Sequence, residues 1–232
     1  MSALMSATAS APAPAPAPAP ANAATGKGQI GIGELDLAAL LCSRVCHDLI
    51  SPVGAIINGL EVMEEDKDEE TKAFALDLIK RSAGQASAKL QFCRLAFGAA
   101  GSAGAQIELG DAEKAVRGLF EDGKTVIMWQ LPRELVPKNR AKLLLNMLLV
   151  AAGAIPRGGA LNVEAVNGGY RVTASGQNAR LAPAVADLLA GSPAQAVDAH
   201  TIQPLYAGIL ARDCGLTVSA TREGDAVALV AC

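Results

Sequence analysis

Between residues 34 and 97 the chain carries two long helical patterns separated only by an acidic turn. The first runs from 34 to about 63, with apolar Leu37, Leu41, Val45, Leu49, Ile56, Leu60 and Met63 near the 3.6-residue period of a helix. Its opposite stripe is polar or small: Asp36, Ser43, His47, Ser51, Gly54, Asn58 and Glu61. Residues 64–70 form a solvated turn whose acids suit the N-terminus of the next helix. The second pattern, from about 69 to 97, has the seam Leu76, Ile79, Ala83, Ala86, Leu90, Cys93 and Phe97. Alternating steps of three and four residues mark a heptad seam, as in a bundle or coiled coil. Two such helices on a short turn make an antiparallel hairpin, which alone buries only one seam. Two hairpins complete a four-helix bundle, so a homodimer through residues 34–98 is expected.

The rest of the chain follows a different rhythm. Residues 1–28 form a low-complexity Ala/Pro-rich tail with little apolar bulk to bury, and a disordered leader is expected. Residues 98–105 are small and read as a linker. The pattern then predicts a strand at 106–109, a helix at 111–121, a strand at 125–130 and a Leu-rich helix at 137–155. A hairpin of 161–166 and 170–175 turns at Asn167-Gly168-Gly169. Helices at 181–190 and near 202–214, and strands at 216–220 and 226–230, complete a two-layer α/β sandwich over 106–232, with helices on one face of a mixed sheet. Aromatic residues make up only 3% of the chain, so the core must come from Ala, Val, Leu and Ile.

Composition excludes some partners. A net charge of −3 offers no basic excess to neutralise phosphates, which argues against nucleic acid. The longest apolar run, 143–155, contains Asn146 and Gly153 and is too short to span a bilayer, so no membrane is expected. No basic segment followed by an apolar one directs secretion, and five cysteines without regular spacing read as reduced thiols. A cytoplasmic location follows.

Chemistry concentrates in the stretch Arg44-Val45-Cys46-His47-Asp48-Leu49-Ile50-Ser51-Pro52-Val53-Gly54. Imidazole is nucleophilic near neutral pH, and a neighbouring carboxylate can fix its tautomer by holding the other ring N–H. On the polar stripe of a helix His47 can present one nitrogen to a phosphoryl group, with Asp48 as its orienter. Ser51, one turn on, is placed to hold a phosphate oxygen or the ring. Pro52 lacks an N–H, so it should kink the helix and free the carbonyl of Asp48. A solitary exposed histidine is usually no more than a solvated side chain, but these neighbours weigh against that here. A metal centre is disfavoured: Cys42, Cys46 and His47 lack a fourth ligand, and His200 is far off in sequence.

His47-Asp48-Leu49-Ile50-Ser51-Pro52 resembles the phosphoacceptor box of sensor histidine kinases. Together with the hairpin and the following sandwich, it is similar to the ChpT-type histidine phosphotransferases of alphaproteobacteria. The resemblance covers roughly residues 34–232. It implies a dimeric histidine-phosphotransfer bundle followed by a degenerate version of the kinases' ATP-binding (Bergerat-like) sandwich. Measured against the kinase boxes, Val150 stands where a magnesium-binding Asn belongs, and Asn146 matches the preceding, structural Asn. Ala174 replaces the adenine-binding Asp, Asn178 replaces a Gly, and Pro204-Leu205 occupy the ground of a Gly-rich phosphate loop. No nucleotide, metal or other cofactor is expected in this chain.

The resemblance therefore implies a phosphorelay intermediate. His47 takes a phosphoryl group from the aspartyl phosphate of a hybrid kinase's receiver domain and passes it to response-regulator receivers, which supply Mg2+. Arg44 is a candidate for charge stabilisation, and Ile50, Gly54, Ile57, Asn58 and Glu61 for receiver contact. Two alternatives stay open: an autophosphorylating kinase with a divergent ATP site, and a non-catalytic dimeric adaptor for receivers.

Overall fold

The structure, a computed structural model, describes residues 32–98, 105–121, 123–194 and 196–232. The tail and most of the 98–105 linker lie outside the described residues. Helix α1 (Glu34–Glu65) and helix α2 (Glu69–Ala96) form the expected antiparallel hairpin. Asp68 caps α2 by accepting from the Thr71 backbone N–H at 2.9 Å and its hydroxyl at 2.8 Å. At about 1.5 Å per residue, the 32-residue α1 is roughly 48 Å long. It is the one helix among the described residues that is long and apolar enough to cross a membrane, a test the sequence reading applied to 143–155 instead. Its middle carries Arg44, His47 and Asp48 and its length lies along α2, as in an amphipathic bundle helix.

The sandwich begins with β1 (Gln106–Glu108), α3 (Leu109–Phe120) and β2 (Thr125–Trp129). Strand β3 (Leu135–Pro137) pairs antiparallel with β1 in a small sheet of its own. The periodicity missed β3, because three residues are too few to show alternation. Helix α4 (Lys138–Ala154) leads into β4 (Gly159–Val166) and β5 (Gly169–Ser175). Helices α5 (Ala184–Ala190) and α6 (Ile202–Asp213) precede β6 (Val218–Glu223) and β7 (Ala226–Ala231). The main sheet has the order β2-β4-β5-β7-β6, parallel between β2 and β4 and antiparallel elsewhere.

Register explains the core. Ile127, Leu161, Ala174 and Val227 stand side by side across four strands, and Val163, Val172 and Leu229 form the next row. All seven are buried beneath α4, which buries ten residues of its own. On the other face, Arg171 pairs with Glu164 and Glu223. One face is packed and the other wet, which is why the strands alternate.

The hairpin joins the sandwich mainly through α2. Phe92 is buried edge-to-face on Phe120 of α3, with centroids 5.9 Å apart. Helix α1 touches the sandwich through a small apolar cluster, in which Leu37, Leu40 and Leu41 meet Ile202, Leu205 and Ile209 of α6.

The heptad seam of α2 divides in two. Ile79, Ala86 and Cys93 are half-buried. Leu76, Ala83 and Leu90, spaced by seven, are exposed in the single chain. Helix α1 leaves Val53 and Leu60 exposed with the same spacing. Gly59 lets the two helices approach closely, since a Cβ there would fall 2.6 Å from Ile79 Cγ1.

Candidate phosphoacceptor site

His47 lies mid-way along α1 with 61% of its side chain exposed. Its Nδ1 faces the Asp48 carboxylate at 3.6 Å, an ion-pair distance longer than a direct hydrogen bond. The other ring nitrogen, Nε2, is thereby left as the one available to an incoming group. Arg44 Nε donates to the second Asp48 oxygen at 2.9 Å, one helical turn back. The carboxylate thus sits between a guanidinium and an imidazole. Arg44, the candidate for charge stabilisation, thus engages Asp48 through its Nε. Ser51 is exposed on the following turn and makes no hydrogen bond to the ring among the described residues.

Pro52 has the expected consequence for the backbone. It is buried inside α1, which remains helical on both sides of it, and it cannot donate to the Asp48 carbonyl. That carbonyl instead accepts from Lys89 Nζ of α2 at 2.7 Å. A charge-assisted bond of this kind contributes about 1.5–3 kcal/mol. Nothing in the heptad pattern identified Lys89, because a cross-helix partner for a freed carbonyl shows only once the helices are paired. Cys93, one turn further on, is half-buried near Asp48, and its thiol is pushed up to about 11, mainly by burial and then by the Asp48 charge.

Below His47 on the same face run Ile50 at 69% exposure, Gly54, Ile57 at 51%, Asn58 and Glu61. Steps of three and four residues place them in one stripe. A Cβ on Gly54 would meet nothing within 4 Å, so the stripe has a low point open to a partner.

The sequence reading set His200 aside as remote. The fold brings it to the site: the rings of His47 and His200 meet edge-to-face, 4.9 Å between centroids and at 84°. His200 stands just ahead of α6, where Asp198 accepts from the backbone N–H groups of His200 at 2.9 Å and Thr201 at 2.8 Å. Those bonds hold the Asp198 carboxyl below its ordinary range, the Thr201 side chain contributing most. Only the α1–α6 contact could have revealed the pair, and separation along the chain hides it.

Beside His200 a cleft of about 200 Å³ opens between α1 and the sandwich. Arg44, Arg180, His200 and Gln203 line it, against Leu149, Val150 and Pro204. Val150 offers no metal ligand, Ala174 is buried in the sheet core, and Pro204 and Leu205 are buried inside α6. These residues do not fit a magnesium-bound nucleotide. Asn146 is fully buried and donates to the carbonyls of Ala96 at 3.1 Å and Lys142 at 2.7 Å, while accepting from Gln203. It therefore ties the end of α2 to α4 and α6, a structural role. Among the described residues no group of three or more His, Cys, Asp or Glu side chains is gathered for a metal ion.

Comparison with known proteins places this geometry. Residues 109–226 match the model of the histidine phosphotransferase C-terminal domain. Protein phosphotransferase ChpT of Brucella abortus (strain 2308) is 49% identical over 195 residues, spanning 82% of this chain and 92% of that protein. The chain belongs to the histidine phosphotransferase family. A solved structure of a bacterial phosphotransferase superposes with a TM-score of 0.76 at 45% identity, covering 86% of this chain and 97% of that one. The helical region and the mixed α/β domain are thus shared with a family member over nearly the whole of its length. The family also settles the class of activity: a protein phosphotransferase acting through histidine in a phosphorelay.

Proposed function

We propose that His47 is the phosphoacceptor. It takes the phosphoryl group from the aspartyl phosphate of a hybrid histidine kinase's receiver domain, and then gives it to the aspartates of response-regulator receivers. The observation that carries this is the exposed imidazole with Nδ1 turned to Asp48. In the first step the bond from phosphorus to the carboxyl oxygen breaks and a bond from phosphorus to Nε2 forms, leaving the donor carboxylate free. The second step is the reverse with a new carboxylate. Phosphoryl transfer asks mainly for positioning and charge compensation. Asp48, anchored by Arg44, orients the ring, and the Mg2+ comes with the receiver. The stripe Ile50, Gly54, Ile57, Asn58 and Glu61 is the docking surface, with the Gly54 gap receiving the partner's closest approach.

The exposed apolar residues Leu76 and Leu90 of α2 and Val53 and Leu60 of α1 support a homodimer. A second hairpin covering them completes a four-helix bundle with two His47 sites. The five free thiols are compatible with a reducing cytoplasm.

The test is transfer of label. Mixed with a phosphorylated receiver, the chain gains acid-labile label on His47; with labelled ATP alone it gains none. Label from ATP without a donor would establish an autokinase and sink this reading.

A further inference from the structure

The cleft lined by His200, whose ring meets that of His47, is not needed to accept or release a phosphoryl group, yet its chemistry is that of an anion site. Three cationic or potentially cationic side chains converge on it from separate elements: Arg44 from α1, Arg180 from the segment before α5, and His200 from the turn before α6. Arg44 spends only its Nε on Asp48, leaving its terminal N–H groups available. The Arg180 guanidinium forms no ion pair among the described residues. Gln203 is 96% buried and lines the same cleft, and its Oε1 has no donor. Such an orphaned acceptor is costly unless a donor reaches it, and a guanidinium turned into the cleft would do so. The two acids nearby are already engaged. Asp48 is bound to Arg44, and Asp198 is turned to the backbone of the α6 turn and does not line the cleft.

We propose that this cleft is a phosphoryl-holding pocket, in which His200 and Arg180 grip the phosphoryl group carried by His47 between its arrival and its departure. The proposal rests on His47 being the phosphoacceptor. The edge-to-face contact sets the His200 ring directly against that of His47. Phosphoryl oxygens bind a guanidinium or an imidazolium by short charge-assisted bonds. Held by these donors, the phosphoryl group is retained against hydrolysis of the P–N bond, which would release inorganic phosphate and free imidazole. The pocket therefore slows loss of the group, while a docking receiver draws it out towards the exposed stripe below.

The experiment is a lifetime. The full-length chain is labelled from a phosphorylated receiver, the receiver is removed, and phosphohistidine is followed by acid-labile counting and by phosphorus NMR. His200→Ala and Arg180→Ala should each lose label at least about tenfold faster than the unaltered protein, the size expected for one charge-assisted bond. They should also shift the phosphohistidine resonance, and His200→Lys, which restores a cationic donor, should recover part of the lifetime. A residue with a merely structural role would move neither readout. Any variant that no longer takes label from a receiver is loaded with phosphoramidate, with His47 read by peptide mass spectrometry. Equal lifetimes and unchanged resonances in the double variant H200A/R180A would overturn the pocket. Absence of label on His47 in the unaltered protein would instead overturn the phosphoacceptor reading beneath it.

Discussion

The sandwich and the hairpin are built from similar residues but satisfied to different degrees. In the sandwich, α4 buries ten of its 17 residues against two rows of strand side chains. In the hairpin, α1 buries only Pro52 and Gly59 of its 32. The sandwich is complete by itself. The hairpin leaves much of its surface uncovered on the outside, where His47, the proposed docking stripe and the apolar Leu76–Ala83–Leu90 line all lie. Burial builds the scaffold, and the proposed phosphoacceptor lies on the helix that burial left free.

That contrast can be broken at its extremes. Replacing His47 by Gln should abolish phosphotransfer completely while leaving the thermal midpoint unchanged, because the ring is mostly exposed; residual transfer from a phosphorylated receiver would show that the free helix is not where the chemistry is. In the sandwich, Leu144→Ala should cost about 2–5 kcal/mol in urea unfolding, since Leu144 is fully buried and its neighbours cannot close the cavity. Lys89→Met, between these two regimes, keeps the aliphatic stem but strands the Asp48 carbonyl. It should cost about 1–3 kcal/mol and slow transfer, which stopped-flow labelling would detect. Leu90→Ala should cost less than about 1 kcal/mol in the hairpin itself, where 51% of the residue is exposed. Paired with Leu76→Glu, it should shift the protein from dimer to monomer in sedimentation velocity; a monomer before mutation would remove the second hairpin altogether.

A final test concerns thiols. Burial disfavours the Cys93 thiolate, so iodoacetamide should modify exposed Cys42 and Cys46 well before Cys93 at pH 8. The difference should narrow as the pH approaches about 11, and mass spectrometry resolves the three sites. The linkage has a definite sign. Because the folded-state value lies above the ordinary 9.0, the unfolded chain loses this proton first, so Cys93 contributes stability that fades between about pH 9 and 11.

Much of this was legible from residues alone. The 3.6-residue period marked both long helices, and the loss of a donor at Pro52 foretold a carbonyl in search of a partner. The box around His47 marked the candidate site before any contact was known. What stayed hidden depends on distance along the chain. Strand β3 is too short to have a period, and Leu109 opens α3 rather than closing β1 because Glu108 already stands at its cap position. Edges moved elsewhere for similar reasons: β6 starts at Val218, two residues later than the pattern placed it, and β7 reaches Ala231. Lys89 and His200 are ordinary polar residues until α2 and α6 are laid against α1. The seam of α2 reads as one line in the sequence, yet the fold divides it into a half-buried line and an exposed one. The helix bend expected at Pro52 is answered by a bond from the neighbouring helix, with the helix continuing on both sides.

The link from Lys89 to the Asp48 carbonyl has a mechanical side. A helix advances about 100° per residue, so turning α2 by even one residue's angle carries the ammonium off the carbonyl it holds. The peptide under the histidine is therefore keyed to the rotation of a helix that bears none of the reactive groups. A protein gripping α2 on its outer line has a lever on the nucleophile without touching it.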